Sequence, residues 1–183
     1  MAKPAGALLL KVTLVDIDPP VWRRLVFPAR FTLGALHEAI QVSLGWDNSH
    51  LHEFRVGKKR FVMSAEDDDG EAADEESVSL GELGLRARSK FEYEYDFGDS
   101  WRHQIVVEKV LPEAEGKQVL CLGGERACPP EDCGGPGGYE DLLSALRRPR
   151  LAKNRELVEW TGEKFDPESF DLPTVTRGLA KIC

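Results

Sequence analysis

The chain has 183 residues, of which 42% are hydrophobic and 31% are charged, and its formal net charge is −8. This length suits one domain with a real core, and the balance of residue types excludes an intrinsically disordered chain. No apolar run approaches the roughly 20 residues of a membrane span, and residues 1–6 lack the apolar core of a signal peptide, so we expect a soluble, cytoplasmic, single domain over residues 1–183 that does not bind a membrane.

The first elements in chain order are two strands and a helix. Residues 7–15 are rich in Leu and Val, and an extended pattern resumes over residues 21–27 after a turn with two prolines. Thr32 can cap the helix that follows, and Gly45 ends it. Apolar residues recur between them at helical spacing, so we expect this helix to pack on the sheet after the second strand.

A hairpin and an acidic segment come next. Residues 51–56 and 60–64 have the pattern of two strands joined at Gly57 and Lys58. Residues 66–76 then contain eight acidic residues and no basic one, which is typical of a solvated loop. The remaining 24 acidic residues equal the 24 Lys and Arg residues in number, so a local basic patch could still bind an anionic partner. A short helical turn is predicted over residues 79–83.

The clearest strand signal lies at residues 91–97, where aromatic and acidic residues alternate, and a second strand is predicted over residues 101–110. A one-residue slip between them would bury charges, which excludes a two-residue turn. We therefore predict a three-residue loop over residues 98–100. The pairs that follow from it are Phe97 with Trp101, Tyr95 with His103, Tyr93 with Ile105 and Asp96 with Arg102.

The last part of the chain predicts one short strand and several helices. The strand covers residues 118–122, and a long Gly/Pro loop follows over residues 123–138. The helical C-terminal part, residues 139–180, contains helices over residues 139–147 and 154–161 and a third from Pro167, with Asp166 as its cap. Strands come early and helices late, which predicts an α+β fold with a mixed, mainly antiparallel sheet.

Histidines are the first candidate metal ligands. His50 and His52 lie two residues apart in a predicted strand, so both imidazoles would point to the same side. His103 on a neighbouring strand could add a third nitrogen to a divalent metal such as zinc. The alternative is that His50 caps the turn before it, while His52 and His103 are hydrogen-bonded residues at the edge of the core.

Cysteines and carboxylates offer other sites. Cys121, Cys128 and Cys133 could hold zinc across the Gly/Pro loop, although their spacing is not that of a typical structural zinc site and buried free thiols are the alternative. Carboxylates could carry catalysis, or they could cap turns and bind backbone amides. The candidate catalytic residues are Glu53, Asp96, Asp99, Glu131 and Asp132.

A basic cluster at the start of the C-terminal third could bind nucleic acid. It consists of Arg147, Arg148, Arg150, Lys153 and Arg155. These side chains could contact phosphates, and Trp22, Trp46 or Trp101 could stack on bases if exposed. The alternative is a solvated junction between two helices, with the tryptophans in the core.

Four stretches of the chain together resemble one family. They are residues 19–24 (PPVWRR), 45–54 (GWDNSHLHEF), 93–103 (YEYDFGDSWRH) and 127–135 (ACPPEDCGG). They resemble the plasmid ORF-three-like family, first named from a root-inducing plasmid, over roughly residues 7–175. Some members of that family carry insertion-sequence passenger or resolvase-like labels, but nothing in this chain resembles the catalytic arginines or DNA-binding helices of a serine recombinase.

Three functions stay open at this point. The resemblance favours a non-enzymatic accessory or binding module of bacterial mobile elements, which could bind nucleic acid. The histidines and carboxylates would instead suit a metal-dependent, hydrolase-like enzyme. The Gly/Pro loop and the acidic segment would suit a protein-interaction module.

Overall fold

The sheet dominates the computed structural model, which describes residues 6–64, 72–112, 117–162 and 165–182. Within these ranges eight strands form one sheet with the order β5-β4-β3-β6-β7-β1-β2-β8. All neighbouring pairs are antiparallel except β4 and β5, which are parallel, so the predicted α+β class with a mixed, mainly antiparallel sheet is confirmed. The strands are β1 (Ala7–Leu14), β2 (Trp22–Pro28), β3 (His52–Val56), β4 (Lys59–Val62), β5 (Ala72–Asp74), β6 (Lys90–Tyr95), β7 (Trp101–Leu111) and β8 (Leu120–Glu125).

Helices pack against this sheet and against one another. The Thr32 side chain accepts a hydrogen bond from the Ala35 amide, and Gly45 ends the first helix at φ 86°, as predicted. The last helix contacts both the first helix and β8. The helices are α1 (Leu33–Leu44), α2 (Gly135–Arg147), α3 (Arg155–Thr161) and α4 (Leu172–Leu179). No helix in the described part of the chain is long and apolar enough to cross a membrane.

The loop between β6 and β7 is longer than predicted. Tyr95 pairs with Trp101 and Tyr93 with His103, so the predicted pairing is wrong by two residues and the loop has five residues, 96–100. The Asp96 carboxylate accepts hydrogen bonds from two amides within this loop, which stabilises the longer turn. The observed pairing differs from the predicted one by an even number of residues, so the aromatic rings still point to the buried face of the sheet. The exception is Phe97, which is 48% exposed.

The described end of the acidic segment is not a loop. Residues 65–71 lie outside the described ranges, so the predicted loop is described only from residue 72. There β5 and a 3₁₀ turn, Glu75–Ser77, replace it. Glu75 is buried because β5 runs alongside β4 and delivers its carboxylate to the ring of His52, at 2.9 Å.

The Gly/Pro segment is also shorter as a loop than predicted. β8 extends through Glu125 and α2 begins at Gly135, so only residues 126–134 lack regular structure. Gly124 permits the strand because a Cβ there would lie 2.8 Å from the Trp22 carbonyl oxygen. Gly124 thus reflects close packing between β8 and β2 rather than a loop.

The predicted helix from Pro167 begins later. Asp166 accepts a hydrogen bond from the Glu168 amide and stabilises a turn. The helix α4 begins at Leu172, and Asp171 caps it by accepting from the Thr174 amide.

Candidate metal site

Three turns meet beyond the ends of β3, β6 and β7. They are residues 45–51, 96–100 and 127–135. The Trp46 ring stacks on Tyr95 at 5.0 Å between centroids, and its Nε1 donates to the Pro129 carbonyl at 2.9 Å. The third turn is thereby fixed against the sheet.

Three carboxylates from these turns converge on one imidazole nitrogen. His50 Nε2 lies 3.2 Å from Asp132 Oδ1, 3.5 Å from Glu131 Oε2 and 3.8 Å from Asp96 Oδ2. The nitrogen is buried, yet it has no hydrogen-bond partner among the described residues. No single carboxylate is therefore aligned with it, and the open centre of the group lies between them.

Backbone amides orient the Asp96 carboxylate. Its Oδ1 accepts from the amides of Gly98 at 2.9 Å and Asp99 at 3.3 Å, which leaves Oδ2 directed at His50. Asp96 has φ 56°, a left-handed conformation that Asp tolerates better than most residues. Asp99 in turn accepts from the Gly134 amide at 3.2 Å, so it joins two of the turns.

Tyr95 and a backbone amide orient Glu131. The Tyr95 hydroxyl donates to Glu131 Oε1 at 3.0 Å and accepts from the Ser49 amide at 3.0 Å. Burial raises the pKa of Tyr95, so the hydroxyl stays protonated and able to donate. The Asp47 amide also donates to Glu131 Oε1, at 2.8 Å, and Oε2 is left facing His50.

The third turn can approach the β6–β7 loop because of a glycine. Gly135 has φ 67°, and a Cβ there would lie 2.5 Å from the carbonyl oxygen of Asp99. A larger residue at this position would push Glu131 and Asp132 away from His50.

The spacing of this group fits a divalent cation. Bonds of about 2.1 Å to a tetrahedral zinc place its ligand atoms about 3.4 Å apart. The observed separations from His50 Nε2 run from 3.2 to 3.8 Å. One imidazole with several carboxylates suits zinc, manganese or ferrous iron. The His50 side chain is 29% exposed and that of Asp132 71%, so the group borders solvent.

The other predicted histidines lie elsewhere. β3 begins at His52, so His50 precedes the strand and the two imidazoles do not share a site. His52 is stacked on His37 at 3.5 Å between centroids and bonds Glu75. His103 Nδ1 lies 3.3 Å from the Tyr93 carbonyl oxygen, and burial lowers the pKa of His103 to about 4. His52 and His103 are therefore hydrogen-bonded core residues, and the structure does not bring the three histidines together.

The predicted cysteine site is not assembled either. Cys121 and Cys128 are buried and Cys133 is partly buried, and all three are free thiols. Burial raises the pKa of Cys128 well above its usual value and that of Cys133 to about 12. In the described residues, His50, Asp96 and Asp132 form the group with metal-ligand spacing.

Glu53 does not join this group. Its carboxylate is almost fully buried and forms ion pairs with Arg55 and with Arg60, the latter at 3.0 Å. These contacts lie on the face of β3 opposite to His52.

The predicted basic cluster is exposed. It lies on the connection from α2 to α3, and Arg155 is 3.8 Å from Glu159. Trp46 and Trp101 are buried, so they cannot stack on bases. Trp160, which the sequence did not single out as a binding residue, is 50% exposed.

His37, which stacks on His52, was not predicted as a core residue from the sequence. It lies four residues after Leu33 on the apolar stripe of α1, and this spacing could have identified it.

Comparisons with known proteins agree with this fold over nearly the whole chain. The family model for plasmid pRiA4b ORF-3-like protein matches residues 6–174. An uncharacterized protein, y4hQ, from Sinorhizobium fredii is 40% identical over 159 residues, covering 86% of this chain and 82% of that protein. The crystal structure of MM3350, a protein of unknown function from Methanosarcina mazei Go1, has a TM-score of 0.83 and 35% identity, covering 92% of this chain and 95% of the other.

Proposed function

The chain belongs to the plasmid pRiA4b ORF-3-like family, as its motifs predicted, and from that premise we propose that it binds a divalent transition-metal ion through His50, Asp96 and Asp132, with the Glu131 carboxylate beside them. Neither relative is described by an activity, so the proposal rests on the site itself. The predicted link to mobile elements stays a prediction.

One observation carries the proposal. His50 Nε2 is buried without a hydrogen bond while three carboxylates lie within 3.8 Å of it. Carboxylates held this close repel one another in a partly desolvated turn, and a divalent cation at their centre would remove the repulsion. It would also give the imidazole nitrogen its missing partner.

The exposure of the site favours a catalytic type of metal centre. Structural zinc sites are closed, whereas catalytic ones keep a position open for water or substrate. Here the Asp132 side chain is largely exposed and the group faces solvent. A bound cation would act as a Lewis acid and lower the pKa of a bound water, so metal-assisted hydrolysis is the reaction class that we propose.

Metal binding can be tested directly. Untagged protein, stripped with EDTA and dialysed, is titrated with Zn²⁺ and Mn²⁺ by isothermal calorimetry, and the metal content is measured by mass spectrometry. We expect one ion per chain. His50→Gln or Asp132→Asn should weaken binding at least about 100-fold, because loss of a mere second-shell partner costs about 10–100-fold.

The matched control is Asp141→Asn, which removes an exposed acid from α2 outside the group. It should bind metal like the wild type. Absence of stoichiometric binding by the wild type, or equal affinities for Asp132→Asn and Asp141→Asn, would refute the proposal.

Nucleic-acid binding is a second candidate, favoured by the exposed basic cluster. All five side chains are exposed, and within the described ranges only Arg155 is near an acidic partner. Reversing the charges of Arg147, Arg148 and Arg150 should abolish salt-sensitive retention on DNA or RNA. Lack of retention of the wild type at low salt would end this candidate. The protein-interaction module stays a prediction.

A further inference from the structure

A cavity of about 310 Å³ borders the metal site on the side of Asp132. It is lined by Asp132, Cys133, Glu156, Leu157 and Trp160. We propose that this cavity binds the guanidinium group of an arginine side chain, in a substrate whose neighbouring carbonyl or carboxylate reaches the metal. The part of this statement that concerns the metal rests on the proposed function.

The charge of the cavity selects a cation. Two of its lining residues are carboxylates and none is basic. Glu156 is exposed and has no ion pair among the described residues, so its charge is available to a ligand.

The shape of the wall selects a planar cation with an apolar stem. Glu156 and Trp160 lie four residues apart on α3, so they occupy the same helix face, with Leu157 beside them. The indole is half exposed. A guanidinium can stack on an indole while its N–H groups reach a carboxylate, and a compact ammonium matches this pair of partners less well.

Asp132 connects the cavity to the metal site. Its Oδ1 lies 3.2 Å from His50 Nε2, while its side chain also lines the cavity. A ligand seated on Trp160 therefore lies next to a proposed metal ligand. An arginine derivative places its carbonyl group a few bonds from the guanidinium, which suits a substrate that spans both sites.

The test compares two ligands of nearly the same shape, one with a cationic side chain and one with a neutral side chain. N-acetyl-L-arginine amide and its neutral isostere N-acetyl-L-citrulline amide are titrated into EDTA-treated protein at low ionic strength. Binding is followed by the indole resonance of Trp160, assigned with Trp160→Phe. We expect the arginine amide to bind at least about fivefold more tightly, since one charge pair and one cation–π contact are involved.

Variants on α3 identify the residues responsible. Glu156→Gln should weaken binding of the arginine amide about three- to fivefold and leave the citrulline amide unchanged. Trp160→Ala should weaken it about two- to fivefold, measured by isothermal calorimetry because this variant lacks the indole. Glu159→Gln removes an acid of the same helix that does not line the cavity, so it should behave like the wild type.

Equal binding of the two amides, no binding of either, or equal effects of Glu156→Gln and Glu159→Gln would overturn the inference. Because EDTA is present, loss of the metal proposal alone would leave the arginine preference intact. With Zn²⁺ loaded, N-acetyl-L-arginine, which carries a free carboxylate, should bind more tightly than its amide. If it does not, the cavity and the metal do not share a substrate.

Discussion

The protonation of His103 provides a quantitative test of the core. This side chain is 1% exposed and lies between the rings of Trp46 and Tyr93. Its Nδ1 is 3.3 Å from the Tyr93 carbonyl oxygen, whereas its Nε2 has no hydrogen-bond partner in the described part of the chain. Burial lowers the pKa of His103 from 6.5 to about 4, so the folded protein holds a neutral ring.

The sign of the pH effect follows from this lowered pKa. Below pH 6.5 the unfolded chain takes up a proton at His103 that the folded protein does not bind until about pH 4. The neutral His103 ring therefore makes its full contribution to the free energy of unfolding above pH 6.5. This contribution is lost as the pH falls from 6.5 to 4. At 1.36 kcal/mol for each unit, His103 should cost the protein about 2 kcal/mol between pH 6.5 and 4.5.

The measurement compares the wild type with His103→Leu. Urea unfolding in EDTA, followed by far-ultraviolet circular dichroism, gives the free energy of unfolding at pH 7.5, 6.5, 5.5 and 4.5. Carboxylates titrate in both proteins and cancel in the difference, so the wild type should lose about 2 kcal/mol more than the variant between pH 6.5 and 4.5. Parallel curves, within about 0.5 kcal/mol, would show that His103 is not a buried neutral ring and would refute the reasoning.

Three further substitutions test packing and the site. Trp101→Ala should lower the free energy of unfolding by about 3–5 kcal/mol, measured by urea denaturation, because the fully buried ring leaves a cavity. Arg23→Met should cost at least about 3 kcal/mol in the same assay, since the buried guanidinium donates to four backbone carbonyls that would lose their partner. Gly135→Ala should lower the melting temperature and weaken Zn²⁺ binding, because its Cβ would meet the Asp99 carbonyl; Gly137→Ala, where nothing lies within 4 Å, should change neither.

Local signals in the sequence were sufficient to predict most helices and strands. Thr32 and Gly45 bound α1 as predicted because capping and a left-handed end depend on neighbouring residues alone. Alternation at residues 91–97 identified the buried face of β6, and the even slip in its pairing left that face unchanged. The loop length was not predictable from alternation, since the Asp96 carboxylate replaces strand pairing with hydrogen bonds inside the turn.

The candidate site depends on contacts between residues far apart in the chain, which could not be predicted from the sequence. The sequence predicts that His50 and His52 share a face of one strand, yet β3 begins at His52. The carboxylates that surround His50 come from positions 46, 81 and 82 residues further along the chain. Each was a candidate by residue type, but their convergence requires the stacking of Trp46 on Tyr95 and its bond to Pro129.

The backbone of the three converging turns favours a functional role for them. Asn48, Asp96, Ser100 and Asp132 all have φ between 53° and 56°. A non-glycine residue in this left-handed region costs about 1 kcal/mol, and glycine would remove that cost at each position. At positions 96 and 132 glycine would also remove a carboxylate that faces His50. The Asp96 carboxylate also stabilises its own turn through two amides, but its Oδ2 and the Asp132 carboxylate are placed where a metal site would need them.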